Sequence, residues 1–423
     1  MSWQLFSTLT TILISFCQSI IIATGIGVDS FGVFSSFIAI SVVISQLLDP
    51  RYLDFFIKYI TKLYSNRDYY TSNQVIILGT ISALIILIIA ALLTIFISDL
   101  LVNDIKSAFL LVFVLISIIL TTHFFTIFQA VLRVKEMVKE LAIVNIITIS
   151  LRLLVISLSI VFFDYGLIGI VISLVVLNIC LALMQFLYLY NLINKDYALS
   201  SCFPINPRNI FKKMPKFWDF IKKLYVNTVI TIPQKELDIV MLTFFVKPEM
   251  VGLYRMSKNF LVAIWGIVDA VVLVIFPMIV KLTEENNLQS LRKVIRNIII
   301  GGIVSSISSL ILMWLFLPLV LEILLPSEYS GVFELTLIMY LGSLVWAPLI
   351  WTYPMAISVD KMNIVIISSV ITGLFAVVSY YTLISNFGVN GAAIVYSTLP
   401  AMSSFILFFG LLKTCKVRQM LLP

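Results

Sequence analysis

Apolar runs of about 20 residues recur from one end of this chain to the other, each long enough to cross a ~30 Å hydrocarbon core as a helix. The polar breaks between them leave no room for a soluble domain. Backbone N–H and C=O groups inside lipid must be satisfied within the protein, which leaves helices as the spanning element for runs of this length. The expected fold is therefore an all-α polytopic membrane protein. Of the 423 residues, 61% are apolar and only 12% are charged; a soluble domain carries roughly 25% charged residues.

The runs predict twelve transmembrane helices, at 4–25, 31–59, 75–97, 108–128, 142–163, 167–190, 224–246, 253–280, 297–325, 334–356, 364–385 and 390–412. No Lys or Arg precedes the first run and no small-residue cleavage site follows a short core, so it reads as a retained helix rather than a signal peptide. Cys17, Cys180, Cys202 and Cys415 have no metal or redox spacing, and free thiols are expected. Basic residues set the orientation. With the N-terminus inside, twenty-two Lys and Arg fall on the cytoplasmic side and only Lys106 and Lys247 outside. Both termini are then cytoplasmic, and the net charge of +7 needs no nucleic-acid partner to explain it.

The longest connection, 191–223, is basic, carries Pro204, Pro207 and Pro215, and falls near the middle of the chain. It divides the sequence into an N-terminal six-helix bundle (1–190) and a C-terminal six-helix bundle (224–423), joined by a basic cytoplasmic linker. The halves repeat. Asp29-Ser-Phe-Gly32-Val-Phe34 matches Glu249-Met-Val-Gly252-Leu-Tyr254, and Asp164-Tyr-Gly166-Leu-Ile-Gly169 matches Asn386-Phe-Gly388-Val-Asn-Gly391, at offsets of 220 and 222 residues. An even number of helices separates the copies, so the repeat is parallel, and a substrate cavity is expected centrally between two such bundles.

Four cations fall inside predicted spans: Arg152, Lys235, Arg255 and Lys258. A Lys or Arg at the membrane centre costs about 2.5–3.5 kcal/mol on insertion scales, so such residues face a cavity or a partner. In helix 7, Asn227, Thr228, Thr231, Lys235 and Asp238 recur at helical spacing and are expected on one face. The repeat pairs this stripe with Ser7, Thr8, Thr11, Ser15 and Gln18 of helix 1, and Asp269 of helix 8 with Asp49. The expected substrate-binding set is Lys235, Arg152, Arg255, Lys258, Asn227, Thr231, Asp238, Thr11, Ser15 and Gln18, with Asp269 as the ion-coupling candidate. Structural readings stand beside each of these. Lys235 and Asp238 could neutralise one another, and Arg255 and Lys258 could snorkel to headgroups. Arg152 could pair with an acid on a neighbouring helix, and the helix 1 stripe could be interhelical glue. The only histidine, His123, reads as a packed or hydrogen-bonded residue. Pro233, beside Lys235, is expected to kink helix 7.

The chain has no Gly-x-x-x-x-Gly-Lys-Ser/Thr run, no His-Glu-x-x-His, no paired Cys-x-x-Cys and no Gly-x-Ser-x-Gly. No catalytic residue, metal or cofactor is therefore expected, and the chain reads as a transporter rather than an enzyme. The two six-helix halves and the Asp29–Gly32 and Glu249–Gly252 signatures resemble the Wzx-type polysaccharide (O-antigen) flippases. So do Lys235-Glu-Leu-Asp238 before an apolar run and Phe276-Pro277 closing helix 8. These flippases belong to the multidrug/oligosaccharidyl-lipid/polysaccharide exporter superfamily. The resemblance implies a substrate, an undecaprenyl-pyrophosphate-linked oligosaccharide, and a location, the bacterial inner membrane. It also implies contact with membrane lipids and with other polysaccharide assembly proteins. Cations in a hydrated cavity suit it, since a diphosphate must cross a medium where charge is costly.

Two other readings share part of the pattern. A drug/cation antiporter of the same superfamily would show acids without surplus cations, whereas four cations here face Glu236, Asp238 and Asp269. An O-antigen polymerase-type membrane enzyme would carry a large outside loop, whereas the longest loop here is basic and inside. A major facilitator protein would need Gly-x-x-x-Asp-Arg between helices 2 and 3, where this chain has Leu-Leu-Asp49-Pro-Arg51-Tyr.

Overall fold

The Leu-, Ile-, Val- and Phe-rich runs fold as helices throughout, and no strand occurs among the described residues. The computed structural model describes residues 2–49, 52–101, 105–163, 166–195, 205, 207–214, 217–285 and 287–413. Cys202, Cys415, Arg51, the Asp164-Tyr165 pair and the centre of the 191–223 linker lie outside them. In chain order the helices are α1 (Ser2–Leu48), α2 (Tyr52–Ser65), α3 (Tyr69–Leu101) and α4 (Ile105–Ile119), followed by a π-helical turn at Leu120–Phe124. Then come α5 (Phe125–Val134), α6 (Val138–Phe163), α7 (Gly166–Asn194), the short α8 (Pro207–Lys212), α9 (Phe217–Thr231) and α10 (Leu237–Phe245). The chain closes with α11 (Pro248–Glu284), α12 (Leu288–Leu324), α13 (Val332–Tyr340), α14 (Ser343–Trp346), α15 (Thr352–Ser358) and α16 (Met362–Leu412).

Eight helical stretches among the described residues are long and apolar enough to span a bilayer. Two of them, in α1 and α16, are long enough for two passes and are kinked by non-helical glycines, Gly27 and Gly388. The charged α11 and the broken pair α9–α10 complete the twelve-span pattern. The outward surface is apolar: Trp314, Phe316, Leu319 and Ile323 of α12 stand exposed, Ile323 at 81%. Such a surface is stable only against lipid or a partner.

Three expected helices are corrected. Helix 2 ends at Leu48 rather than running to residue 59. Asp49 precedes a proline and leaves the helical conformation, as pre-proline residues tend to do. The chain then restarts as α2, which buries Phe56, Tyr59, Ile60 and Leu63 and sends Lys62 to the surface. Helix 7 is not one helix: α9 stops at Thr231, a 3-10 turn covers Ile232–Gln234, and α10 begins at Leu237. Pro233 has no N–H to donate and its ring would meet the preceding turn. Helix 10 is likewise broken, into α13, α14 and α15, around Gly342 and Pro348.

The chain groups into two compact units, one made of Met1–Ile14 with Phe37–Val229, the other of Ser15–Ser36 with Ile230–Pro423. In the first, α2 and α5 share a core of Phe56, Ile60, Phe128 and Val131, and Ile210 and Met214 from the linker bury themselves against it. In the second, Ile279, Leu291, Trp351 and Leu411 form a core among α11, α12, the α14–α15 region and α16.

The repeat has a backbone signature. Gly166 and Gly388, matched by sequence, share a positive φ, 55° and 56°. Within the second unit, Gly32 and Gly252 also meet. A Cβ on Gly32 would lie 1.8 Å from the Pro248 carbonyl oxygen, and one on Gly252 2.4 Å from that of Val28. Only glycine permits this approach, and the two contacts interchange under the 220-residue offset, which maps Gly32 onto Gly252 and Val28 onto Pro248.

Candidate functional site

Among the described residues, each unit gathers polar side chains around cations of its spanning segments. In the first, the site is built where α4 loosens into its π-helical turn. Such single turns interrupt the regular ladder and re-aim side chains. Leu120 and Thr121 of that turn, with Thr11, Asn145, Arg152, Asn178 and Gln185, line a cavity of about 330 Å³. Arg152 Nη2 donates to Asn178 Oδ1 at 3.3 Å, and the Asn178 amide nitrogen in turn donates to Ser117 Oγ. The Arg152 Nε is buried without a hydrogen-bond partner. No carboxylate lines this cavity, and Arg152 forms no ion pair among the described residues. A guanidinium held only by a neutral amide in low dielectric leaves its charge uncompensated, which favours an anion beside it.

In the second unit the break at Pro233 builds the site. Ending α9 early frees backbone carbonyls that a continuous helix would have used, and side chains from other elements take them up. Lys258 of α11 donates to the Lys235 carbonyl at 2.6 Å. Gln234 is held in place by donating to the Ser369 carbonyl at 2.9 Å and to Thr372 Oγ1 at 2.7 Å. The restart at Leu237 puts Asp238 in the first turn of α10, where a negative charge meets the helix dipole favourably. Asp238 is 1% exposed and saturated: Lys258 reaches Oδ2 at 2.9 Å and Oδ1 at 3.1 Å, Tyr254 donates to Oδ2 at 2.8 Å, and the Ile239 amide donates to Oδ1 at 2.8 Å. Glu236, one-fifth exposed, accepts from Arg255 at 3.1 Å and lies 3.7 Å from Lys258. Two cations thus face two carboxylates and the cluster is electrically neutral.

The sequence-derived residues distribute as follows. Arg152 and Thr11 share the first cavity; Asp238, Lys258 and Arg255 share the second cluster. Lys235 and Asn227 are exposed, Thr231, Ser15 and Gln18 are intermediate in exposure, and the Gln18 amide oxygen is buried without a partner. Because helix 7 is broken, Asn227 and Thr231 no longer share a continuous helical face with Lys235 and Asp238, and the partner of Asp238 is Lys258 rather than Lys235. Asp269 falls within α11, but its side chain lies outside the described residues. Buried His123 sits 3.5 Å from Ser45 Oγ through Nε2. Sequence reasoning missed Glu236 as a partner for Arg255, together with Tyr254, Asn178 and Gln185. The i+3 spacing of Arg255 and Lys258 beside the acids of Lys235-Glu-Leu-Asp238 was the available signal for the first.

A family model described as polysaccharide biosynthesis protein matches residues 1–283. Among curated proteins, none matches the chain significantly. Among solved structures, a multidrug resistance MATE family transporter of the MOP superfamily, in an inward-facing conformation, aligns with a TM-score of 0.73 at 14% identity, over 96% of this chain and 93% of its own. The lipid II flippase MurJ, in an inward closed conformation, aligns at 0.72 and 15% identity, over 99% of this chain and 89% of its own. A MOP superfamily transporter from Pyrococcus furiosus aligns at 0.60 and 13% identity, over 97% and 94%. At these identities the likeness is one of fold.

Proposed function

The chain belongs to the polysaccharide biosynthesis protein family, and from that premise we propose that it is a flippase rather than an enzyme. Its cargo is an undecaprenyl-pyrophosphate-linked oligosaccharide, an O-antigen or capsule repeat unit, carried across the bacterial inner membrane by alternating access. The observation that carries this reading is the Arg152 cavity, a cation with no acidic partner among the described residues, set among amides and hydroxyls. A diphosphate satisfies the guanidinium in a bidentate way, and sugar hydroxyls exchange hydrogen bonds with Asn145, Gln185 and Thr11. Further polar contacts proposed for a bulky glycan are Asn227 in the first unit and, in the second, Lys235, Thr231, Ser15 and Gln18.

The distribution of basic residues supports cytoplasmic termini, and the polyprenyl tail stays in the surrounding lipid. Partner proteins of polysaccharide assembly would receive the cargo on the far side. A drug/cation antiporter would need an acid open to an organic cation. Glu236 and Asp238 are both engaged by Arg255 and Lys258, which favours the flippase.

Deleting the gene in its host and extracting the lipid-linked sugars tests the reading. Accumulation of a diphosphate-linked oligosaccharide on the inner leaflet, with loss of surface polysaccharide, is the expected result. An unaltered lipid pool and surface would overturn it.

A further inference from the structure

The second unit holds another cavity, of about 340 Å³, whose walls are of a different kind. Trp265, Trp346, Tyr353 and Tyr396 line it, with Gln234 and Ser404 among the polar groups. The aromatic rings are held in fixed orientations. Trp265 Nε1 donates to Ser343 Oγ at 2.9 Å, its ring stacks on Tyr396 at 5.7 Å and 4°, and it meets Trp346 at 5.7 Å and 50°. We propose that this cavity is a saccharide subsite, a refinement that rests on the flippase reading.

A pyranose presents a flat face of C–H bonds with a rim of hydroxyls. The matching site offers aromatic surface for the face and short polar side chains for the rim, in a concave pocket of a few hundred Å³. Both are present here. A neighbouring groove in the same unit supplies the contrast. It is larger, at about 730 Å³, and is lined mostly by aliphatic and Phe side chains such as Ile364, Ile367, Met402 and Phe405, with Thr398 and Lys413 as its polar members. Those mostly apolar walls suit an acyl or prenyl chain better than a sugar. The aromatic cavity adjoins the charged cluster at Tyr396, whose ring centroid lies 5.3 Å from Lys258 Nζ and 6.5 Å from the Tyr254 ring.

The test uses the full chain in lipid nanodiscs with its six tryptophans replaced by 5-fluorotryptophan and assigned by single Trp→Phe exchanges. Methyl glycosides of glucose, galactose and N-acetylglucosamine are titrated separately from inorganic pyrophosphate, and the fluorine spectrum is followed. At least one glycoside shifts the Trp265 and Trp346 resonances saturably and leaves those of Trp3, Trp218 and Trp314 in place. Tyr396→Leu weakens that response about tenfold or more, the usual scale for truncating an aromatic anchor. Tyr353→Leu, at a more exposed position, weakens it less and does not depend on refolding the buried stack.

The inference fails if no glycoside moves the two resonances, or if all six shift together. It fails equally if nitroxide-labelled phospholipid broadens Trp265 and Trp346 and sugars do not reverse the broadening, which would assign the cavity to lipid. Pyrophosphate binding separates the two readings. If it persists in the wild type while the glycoside response is absent, the saccharide subsite falls and the carrier stands. If pyrophosphate does not bind while glycosides do, the carrier reading falls instead.

Discussion

The two units treat an intramembrane cation in opposite ways. In the second, Arg255 and Lys258 are matched by Glu236 and Asp238, and the buried pair is saturated further by Tyr254 and a backbone amide. In the first, Arg152 has an asparagine for company and one nitrogen with no partner. Compensation makes a cluster part of the framework; its absence leaves a charge available to a ligand. Sequence depth alone cannot separate these cases, because all of these cations lie within predicted spans.

The largest effect is expected where compensation is complete. Asp238→Ala strands Lys258 in a buried site, and breaking a buried pair from one side costs about 3–5 kcal/mol. The variant should lose thermal stability in detergent and give little monodisperse protein. Combining Asp238→Leu with Lys258→Met removes both charges and should recover most of the loss. If the single variant is as stable as wild type, the cluster is not framework and the contrast between units collapses.

The counterpart in the first unit, Arg152→Gln, should act oppositely. It removes an uncompensated charge and keeps an amide for Asn178, so stability should be unchanged or should rise by up to about 1 kcal/mol. Export should nonetheless be lost, read as absent surface polysaccharide with normal protein in the membrane. Arg152→Lys should retain part of it, because the charge survives without the planar fork. Full complementation by Arg152→Gln would show that the lone cation is not used.

A smaller effect is expected at the partly exposed pair. Glu236→Gln keeps a hydrogen-bond acceptor for Arg255 and removes the negative charge where a fifth of the side chain meets solvent. Loss of a charged hydrogen bond there should cost about 1–2 kcal/mol in thermal or denaturant unfolding. A cost equal to that of Asp238→Ala would mean that both carboxylates are equally buried in function, and that the inner pair has no special standing.

Much of the fold was legible because hydrophobic length and glycine chemistry are local. The apolar runs gave the spans, and the matched Gly166 and Gly388 reappear with nearly the same positive φ. The cations were legible too, since four charges in an apolar sequence stand out. Their partners were not. Pairing of Asp238 with Lys258 and Tyr254 depends on how the break at Pro233 turns α10 toward α11, and the polar periodicity of the sequence runs across that break as if one helix continued. The separation of α2 from α1 was hidden in the same way, by apolar residues on both sides of Asp49. The aromatic cavity gathers Trp265, Trp346 and Tyr396 from segments far apart in sequence, each looking like an ordinary membrane aromatic.

The same contrast can be calibrated outside the membrane, where water does the compensating. Asp68 precedes α3 and accepts from the Thr71 amide at 3.1 Å, an N-cap, while Lys213 of the linker reaches its Oδ2 at 2.5 Å and Thr71 Oγ1 at 2.7 Å. Partial burial pushes the Asp68 carboxyl up, but the hydrogen bonds from Lys213 and Thr71 and the Lys213 charge outweigh it and hold it below its ordinary value. A carboxyl lowered by folding adds stability that is fully present above its unfolded value of roughly 3.9 and disappears as pH falls through the lower folded value. Lys213 is half exposed, so the pair is screened and is worth less than about 1 kcal/mol. Asp68→Asn keeps the cap and removes the charge. It should therefore lower the unfolding temperature slightly at neutral pH, with the difference from wild type shrinking as pH drops below about 4 and as salt rises. A difference that stays constant with pH would assign the effect to the cap rather than to the charge. A loss as large as that of Asp238→Ala would show that docking of the linker on α3, and not the medium around the pair, sets what an ion pair contributes in this protein.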